Sequence, residues 1–410
     1  MKRTFQALLT FVVITCTNCV RRPEIATASH GGKEPARILG IKRLEETTLR
    51  LGGTGDNWHM TWTADDQQLA GLCDGLGWPP LPQKFYNSRL FKVAGNPPDI
   101  TFDDLPTYPD IVNKGKTGDA FLYYGFGILA IDDHIYQFLS TPNKPFFEPA
   151  TRFVGAKLIY SEDKEGTWHN QDGSTPVRCE SWETRNKKDF VFFEEPGDAF
   201  SLLTVLQMGK NYEENTDGYI YVYSPNGSRE GTMNQLVMFR VPKTRLLEKA
   251  AYEFFVGRNA DGSARWSTHM QQRGVVHTFP SGWVNTQPNP YAWHPSVVYI
   301  ASLRQYLMVN WGMGADSSGT WFGKPSYLGF WTAPHPWGPW KQIHEERAWM
   351  PAKDPKARAY QPQISPKWIS PDGRSFYLVW TDYQEDKKSG KPFDRPYYGF
   401  NVQKVKIIAE

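Results

Sequence analysis

The sequence predicts an all-β fold, a five-bladed β-propeller, and three observations carry that prediction. Aromatic strand formers (Trp 16, Tyr 20, Phe 24) stand beside turn formers (Gly 35, Pro 31) along 410 residues, while long Ala/Leu/Glu/Lys stretches of helical type are scarce. The apolar pattern follows period 2: two aromatic or β-branched runs flank a few turn residues, and a longer irregular connection follows. That unit returns about five times at intervals of ~60 to 80 residues, the spacing of blades joined by long loops. A β-sandwich would account for the strands, but not for the return of the same inner hairpin, outer strand and connector in the same order.

The first unit reads Asn57 to Thr63, the turn Ala64-Asp65-Asp66-Gln67, Gln68 to Cys73, and a third strand over Asn87 to Val93. The second pairs Tyr124 to Ile131 with His134 to Leu139 across Asp132-Asp133, with Ala156 to Tyr160 and a neighbour outside. In the third, Phe200 to Leu206 pairs with Gly218 to Tyr223, and Gln235 to Arg240 is added. The fourth places Ser296 to Ile300 against Tyr306 to Trp311, then Tyr327 to Trp331 and Trp340 to Ile343. The last pairs Gln363 to Ile369 with Ser375 to Trp380 across Ser370 to Arg374 and ends in Phe400 to Ile407. Polar, Gly-rich segments at 175–188 and 312–324 read as surface loops, and no linker divides the chain.

The amino terminus predicts export. Met1-Lys2-Arg3-Thr4 is basic and Phe5 to Thr15 is apolar but too short to span a bilayer, the pattern of a secretion signal over residues 1–28. Two exits are open: cleavage after Ala26-Thr27-Ala28, which is favoured, or an imperfect lipoprotein box at Val13-Ile14-Thr15-Cys16. A single propeller domain is then expected over residues 40–408, acting outside the cytoplasm, periplasmic or extracellular, with a lipid anchor as the alternative to a free form. Net charge is only +3 and the charges are interspersed, so there is no electrostatic footprint for nucleic acid or anionic lipid. The expected state is a monomer. Of four cysteines, Cys73 and Cys179 fall outside the signal; one disulfide is allowed, and neither has the C-x-x-C spacing of a zinc or redox site, so no metal and no cofactor is expected.

The candidate chemistry lies in the first hairpin. Asp56 and Asp74 are equally far from the turn residue Asp65, which places them opposite one another across the strand pair. Facing carboxylates ~4.5 to 5.5 Å apart at Cβ repel, so their proton affinities separate and one can stay protonated while the other ionises. Glycoside hydrolysis requires that division, an acid for the leaving oxygen and a carboxylate as nucleophile or base. Asp74-Gly75 also suits a plain turn at a strand end. The equivalent positions in the fourth and fifth units are Asn310 and Asp382, but only the first unit opposes a second acid to it; the others offer His294 and Gln361 or Gln363. Candidate sugar-binding groups are Trp58, His59, Trp78, Tyr212, Asp217, His294, Asn310, Gln361, Gln363 and Asp382, expected to converge on one mouth of the channel. For each tryptophan, packing between blades is the competing reading. Gly125-Phe126-Gly127 lacks the helix of a dinucleotide motif, and no G-x-S-x-G, P-loop or H-E-x-x-H occurs.

Gly55-Asp56-Asn57-Trp58-His59-Met60-Thr61-Trp62, Cys73-Asp74-Gly75, Asn87-Ser88-Arg89 and His294-Pro295-Ser296 together resemble domain-of-unknown-function family 4185, some members of which are placed in glycoside hydrolase family 183 among five-bladed propeller glycosidases. The likeness runs from about residue 45 to 405. It implies a polysaccharide substrate, with endo-cleavage of D-arabinan as a candidate activity, and catalytic roles for two first-blade aspartates that correspond by motif to Asp56 and Asp74. The motif Gly329-Phe330-Trp331-Thr332-Ala333-Pro334 with Pro336-Trp337-Gly338-Pro339-Trp340 is shared more widely and speaks to the fold. The expected partner is thus a poly- or oligosaccharide. Two alternatives remain: a carbohydrate-binding propeller without catalysis, and a polysaccharide lyase drawing its base from His59, His294 or Tyr212.

Overall fold

The computed structural model describes residues 34–410 apart from 80–83, 113–122, 145–150, 164–165, 228–232, 281–292, 384, 387–390 and 393–396. The secretion signal expected over residues 1–28 lies outside the described residues. After β1 (Ile38–Arg43), the first blade comprises β2 (Thr54–Asp56), β3 (Met60–Trp62), β4 (Gln68–Gly77), β5 (Tyr86–Asn96) and β6 (Asp99–Asp104). The second is β7 (Tyr124–Ile131), β8 (His134–Pro142), β9 (Phe153–Ser161) and β10 (Trp168–Asn170). The third runs through β11 (Thr204–Val205), β12 (Tyr219–Pro225), β13 (Gln235–Pro242) and β14 (Glu253–Arg258). The fourth is β15 (Ser296–Ile300), β16 (Gln305–Gly312), β17 (Tyr327–Ala333) and β18 (Lys341–Glu346). The fifth combines β19 (Ala359–Ile364), β20 (Ser375–Asp382) and β21 (Asn401–Ala409), and β1 supplies its outermost strand.

Hydrogen bonds between neighbouring blades close these antiparallel sheets into a ring. Ala130 N donates to Thr61 Oγ1 at 2.9 Å, Gly127 N to Leu203 O at 3.1 Å, Gln207 N to Val297 O at 3.0 Å, Ile364 N to Ser296 Oγ at 3.0 Å and Thr381 Oγ1 to Gly55 O at 3.0 Å, joining each blade to the next. The protein is therefore a five-bladed β-propeller, as its sequence predicts. Apolar side chains fill the wedges between blades, and Trp58, Trp349 and Trp380 are among the largest fully buried ones. A blade exposes little edge this way, because each sheet face packs on its neighbour and the ring has no free end.

Two expectations about strands need correction. The third inner strand was expected over Phe200 to Leu206, but only Thr204–Val205 pairs with β12, because Asp198 and Phe200 take left-handed backbone conformations with φ of 57° and 60°. The fifth inner strand ends at Ile364 and not Ile369, where Ser365 precedes Pro366 and the ladder loses its donor. Closure of that blade by β1, with Ile41 opposite Ile407 and Arg43 opposite Val405, went unforeseen. Cys73 and Cys179 do not pair: the first is buried and the second exposed. No helix among the described residues is long and apolar enough to cross a membrane.

Candidate active site

The first hairpin follows the register centred on Asp65 at its tip, with Met60 opposite Ala70, Thr61 opposite Leu69 and Trp62 opposite Gln68. Beyond His59 the register slips. Asn57 has φ of 54° and its carbonyl accepts the His59 amide at 2.6 Å, which interrupts the inner strand between β2 and β3. Asp56 therefore lies opposite Cys73 and not, as expected, opposite Asp74. Asp74 follows with φ of 48°, a bulge that re-aims its side chain, and the Asp56 charge is one of the two causes that raise its proton affinity. Gly75 permits the approach: a Cβ there would stand 2.0 Å from the Thr54 carbonyl oxygen. Gly75→Ala must push β2 away from β4, and we expect a loss of about 1–3 kcal/mol, read as a lower midpoint in urea unfolding; an unchanged midpoint would refute this account of the slip.

Two aromatic clusters flank the acids. On one side Cys73 packs with Tyr124, Phe126, Phe153 and Leu202; on the other are Trp311, Met313, Phe322 and Tyr360, with Tyr383 and Tyr398 against them and Trp293 touching both groups. Asp56, 7% exposed, accepts from Tyr360 OH at 2.7 Å (Oδ2) and from Asn57 Nδ2 at 3.2 Å (Oδ1). Burial still pushes its carboxyl up to about 7 against those bonds, with weaker opposition from Tyr398 and Cys73. Asp74 is half-exposed as a residue, yet its Oδ1 is shut off from solvent and has no hydrogen-bond partner. Burial, and then the Asp56 charge, hold it well above the usual carboxylate range. Burial likewise keeps the Tyr360 and Tyr398 phenols protonated, and Tyr398 OH donates to the Asp74 carbonyl at 2.6 Å.

The structure distributes the remaining sequence candidates over several places. Gln361 accepts from the Asn57 amide at 3.2 Å and so supports the slip beneath Asp56. His59 and His294 meet edge to face at 4.9 Å, both buried, and burial drops His59 to about 3 and His294 well below its ordinary value. His59 also lines a polar cavity with room for about one water. It is lined from all five blades, by His59, Met60, Ile128, Thr204, Val205, Gln207, Ser296 and Gln363. Asp382 pairs with Arg50 at 3.5 Å and accepts from Trp380 Nε1 at 3.1 Å, while Asn310 accepts from Trp331 Nε1 at 2.8 Å.

Four candidates do not join the site. Trp58 is fully buried between Trp78 and Phe400, each 5.3 Å away by ring centroid, with its Nε1 on Thr381 Oγ1. Trp78 stacks on Phe102 at 3.9 Å and donates to the Leu51 carbonyl. Tyr212 and Asp217 sit in the connection between β11 and β12, the hairpin-turn end of the blade, where Tyr212 OH accepts from the Tyr221 amide and Asp217 from Asn215. Sequence reasoning names Trp293 together with His294 as sugar-binding but misses Tyr360, Tyr398 and Asn57, although its candidates Gln361 and Asp56 stand one residue from Tyr360 and Asn57. Among the described residues no three His, Cys, Asp or Glu side chains gather as a metal site.

No protein-family model matches the chain, so the resemblance read from the first hairpin stands on its motifs alone. No curated protein matches it either. Solved structures do show similarity in chain path. A provisionally assigned hydrolase of Bacteroides ovatus ATCC 8483 is 15% identical with a TM-score of 0.47 over 90% of this chain and 87% of its own. The catalytic domain of the Coprinopsis cinerea GH62 alpha-L-arabinofuranosidase is 11% identical with a TM-score of 0.41 over 90% and 92%. GH43B of the Bacteroides ovatus xyloglucan PUL is 10% identical with a TM-score of 0.46, covering 88% of this chain and 54% of that one, so this chain spans about half its length.

Proposed function

We propose that the protein is a glycoside hydrolase of the 183-like kind that cleaves a polysaccharide at the propeller mouth through Asp56 and Asp74. One observation carries this reading: two carboxyls on neighbouring strands, both raised by burial, have unequal hydrogen bonding, with Tyr360 and Asn57 donating to Asp56 while Asp74 Oδ1 has no donor. Burial raises both carboxyls, and two acids brought together in that state can share a proton and act as an acid and a base near neutral pH. The aromatic side chains on either side offer flat apolar surface for sugar rings. The first-hairpin resemblance makes an arabinan the first substrate to try and export the matching location, with a monomer as the working form. A lyase would need an accessible base, and its sequence candidates are a buried His59, a buried His294 and a Tyr212 in the hairpin-turn connection.

The test is an incubation of the purified protein with a panel of arabinans and plant and algal glycans. New reducing ends are expected from at least one glycan, with loss of ~10² to 10⁴-fold in rate for Asp56→Asn and for Asp74→Asn. Retention of a glycan without any cleavage would instead establish a binding propeller.

A further inference from the structure

We propose that Tyr360 is a positioning residue that decides which aspartate of the pair carries the charge, holding it on Asp56 and leaving the proton on Asp74. The inference rests on the proposed reaction for its meaning but not for its evidence. Tyr360 comes from β19 of the fifth blade and reaches across the seam to β2 of the adjoining first blade. Its hydroxyl donates to Asp56 Oδ2 at 2.7 Å, and it has no other carboxylate acceptor among the described residues. A phenol within a buried cluster is a donor without becoming an anion, so the bond favours an ionised acceptor over a protonated one.

Asymmetry of donors makes that effect decisive. Asp56 also receives Asn57 Nδ2, while Tyr398 and the Cys73 thiol add weaker stabilisation of its anion. The titratable groups that face Asp56 are Cys73 and Asp74 on β4, Tyr360 on β19, Tyr398 before β21, and Tyr124 on β7, and each of the latter three phenols is raised by burial and by the aspartates. Asp74 gains no comparable donor at Oδ1. One proton shared between the two carboxyls therefore resides on Asp74, which becomes the acid that protonates the leaving oxygen, and Asp56 becomes the nucleophile or base. The backbone makes the contact possible: Gln361, at φ of 51°, and the register shift between Tyr360 and Gln363 turn Tyr360 toward the first blade.

The experiment titrates isotope-labelled aspartate carboxyls by nuclear magnetic resonance in the full-length protein, without any substrate. In the parent protein one buried carboxyl is expected to titrate near 7, and its signal should vanish in Asp56→Asn. In Tyr360→Phe that titration should move up by about one pH unit or more, the worth of one hydrogen bond to a charged group. Incorporating meta-fluorotyrosine at Tyr360, which keeps the ring and strengthens the donor, should move it down, and keeps the inference testable even where Tyr360→Phe fails to fold. Tyr398→Phe should move it less, since that hydroxyl binds the Asp74 carbonyl. An unmoved titration in both Tyr360 replacements, or a signal near 7 that belongs to Asp74, overturns the inference. Because the readout needs no glycan, failure of the Tyr360 role and absence of hydrolase activity are told apart. Where cleavage is found, the acidic limb of the pH–rate profile should shift with the same sign as the carboxyl titration.

Discussion

Asp74→Asn is expected to melt at a higher temperature than the parent protein while losing glycan cleavage, and the gain should grow with pH. Burial and the neighbouring Asp56 charge raise the folded-state proton affinity of Asp74 well above that of an unfolded aspartate. The folded chain then binds a proton that the unfolded chain has released at any pH above ~4, so stability falls as pH rises through that range. Asparagine resembles the protonated carboxyl and never pays this cost. The variant and the parent should converge below ~4, where both chains carry the proton, and separate above it. Each kcal/mol gained corresponds to a rise of ~2–4 °C in a domain of moderate size. Differential scanning calorimetry at a series of pH values reads the effect; a parent protein that outlasts Asp74→Asn at neutral pH would mean that Asp74 is ionised and well solvated. Such a trade of stability for reactivity is what a site built on two desolvated acids implies.

Trp58→Ala carries the largest expected cost to the fold itself. The indole has no exposed surface, packs against Trp78 and Phe400, and donates from Nε1 to Thr381 Oγ1 at 2.7 Å. That hydroxyl in turn donates to the carbonyls of Gly55 and Gly399, so the side chain joins the first blade to the fifth. Removing it leaves a cavity at the seam, and large-to-small replacements of buried tryptophan cost about 3–5 kcal/mol. Trp58→Phe should retain most of the packing and lose only about 1 kcal/mol with the hydrogen bond. Urea unfolding of the two variants orders them, and a Trp58→Ala midpoint equal to that of the parent would return Trp58 to the list of sugar platforms.

Trp58 also marks where sequence reasoning meets its limit. A tryptophan beside two candidate acids suits a sugar platform and a blade seam equally well, and only the position of Thr381, more than three hundred residues further on, decides for the seam. The hairpins were legible because period 2 is a local signal: β7, β8, β15, β16 and β17 fall where alternation places them. Contacts that join distant segments leave no such trace, which is why β1 escaped notice and why Tyr360 and Tyr398 were passed over although the fifth unit had been searched for amides at Gln361 and Gln363. The proximity of the two aspartates came through, but for an incomplete reason. Equal distance from Asp65 holds as far as Met60, and the left-handed Asn57 then slips the strand by one residue and leaves Cys73, not Asp74, opposite Asp56. No alternation pattern signals a single left-handed residue inside an aromatic strand.

Closure of the ring by β1 against β21 has a kinetic meaning as well. Ile38 finds its partner at Ala409, so the fifth blade joins two strands more than 350 residues apart in sequence, and loop-closure entropy opposes that meeting until the intervening blades have shortened the gap. Folding should then finish in one slow concerted step only once β21 is available to pair with both β1 and β20, and deletions within β21 should yield an aggregating product rather than a four-bladed one.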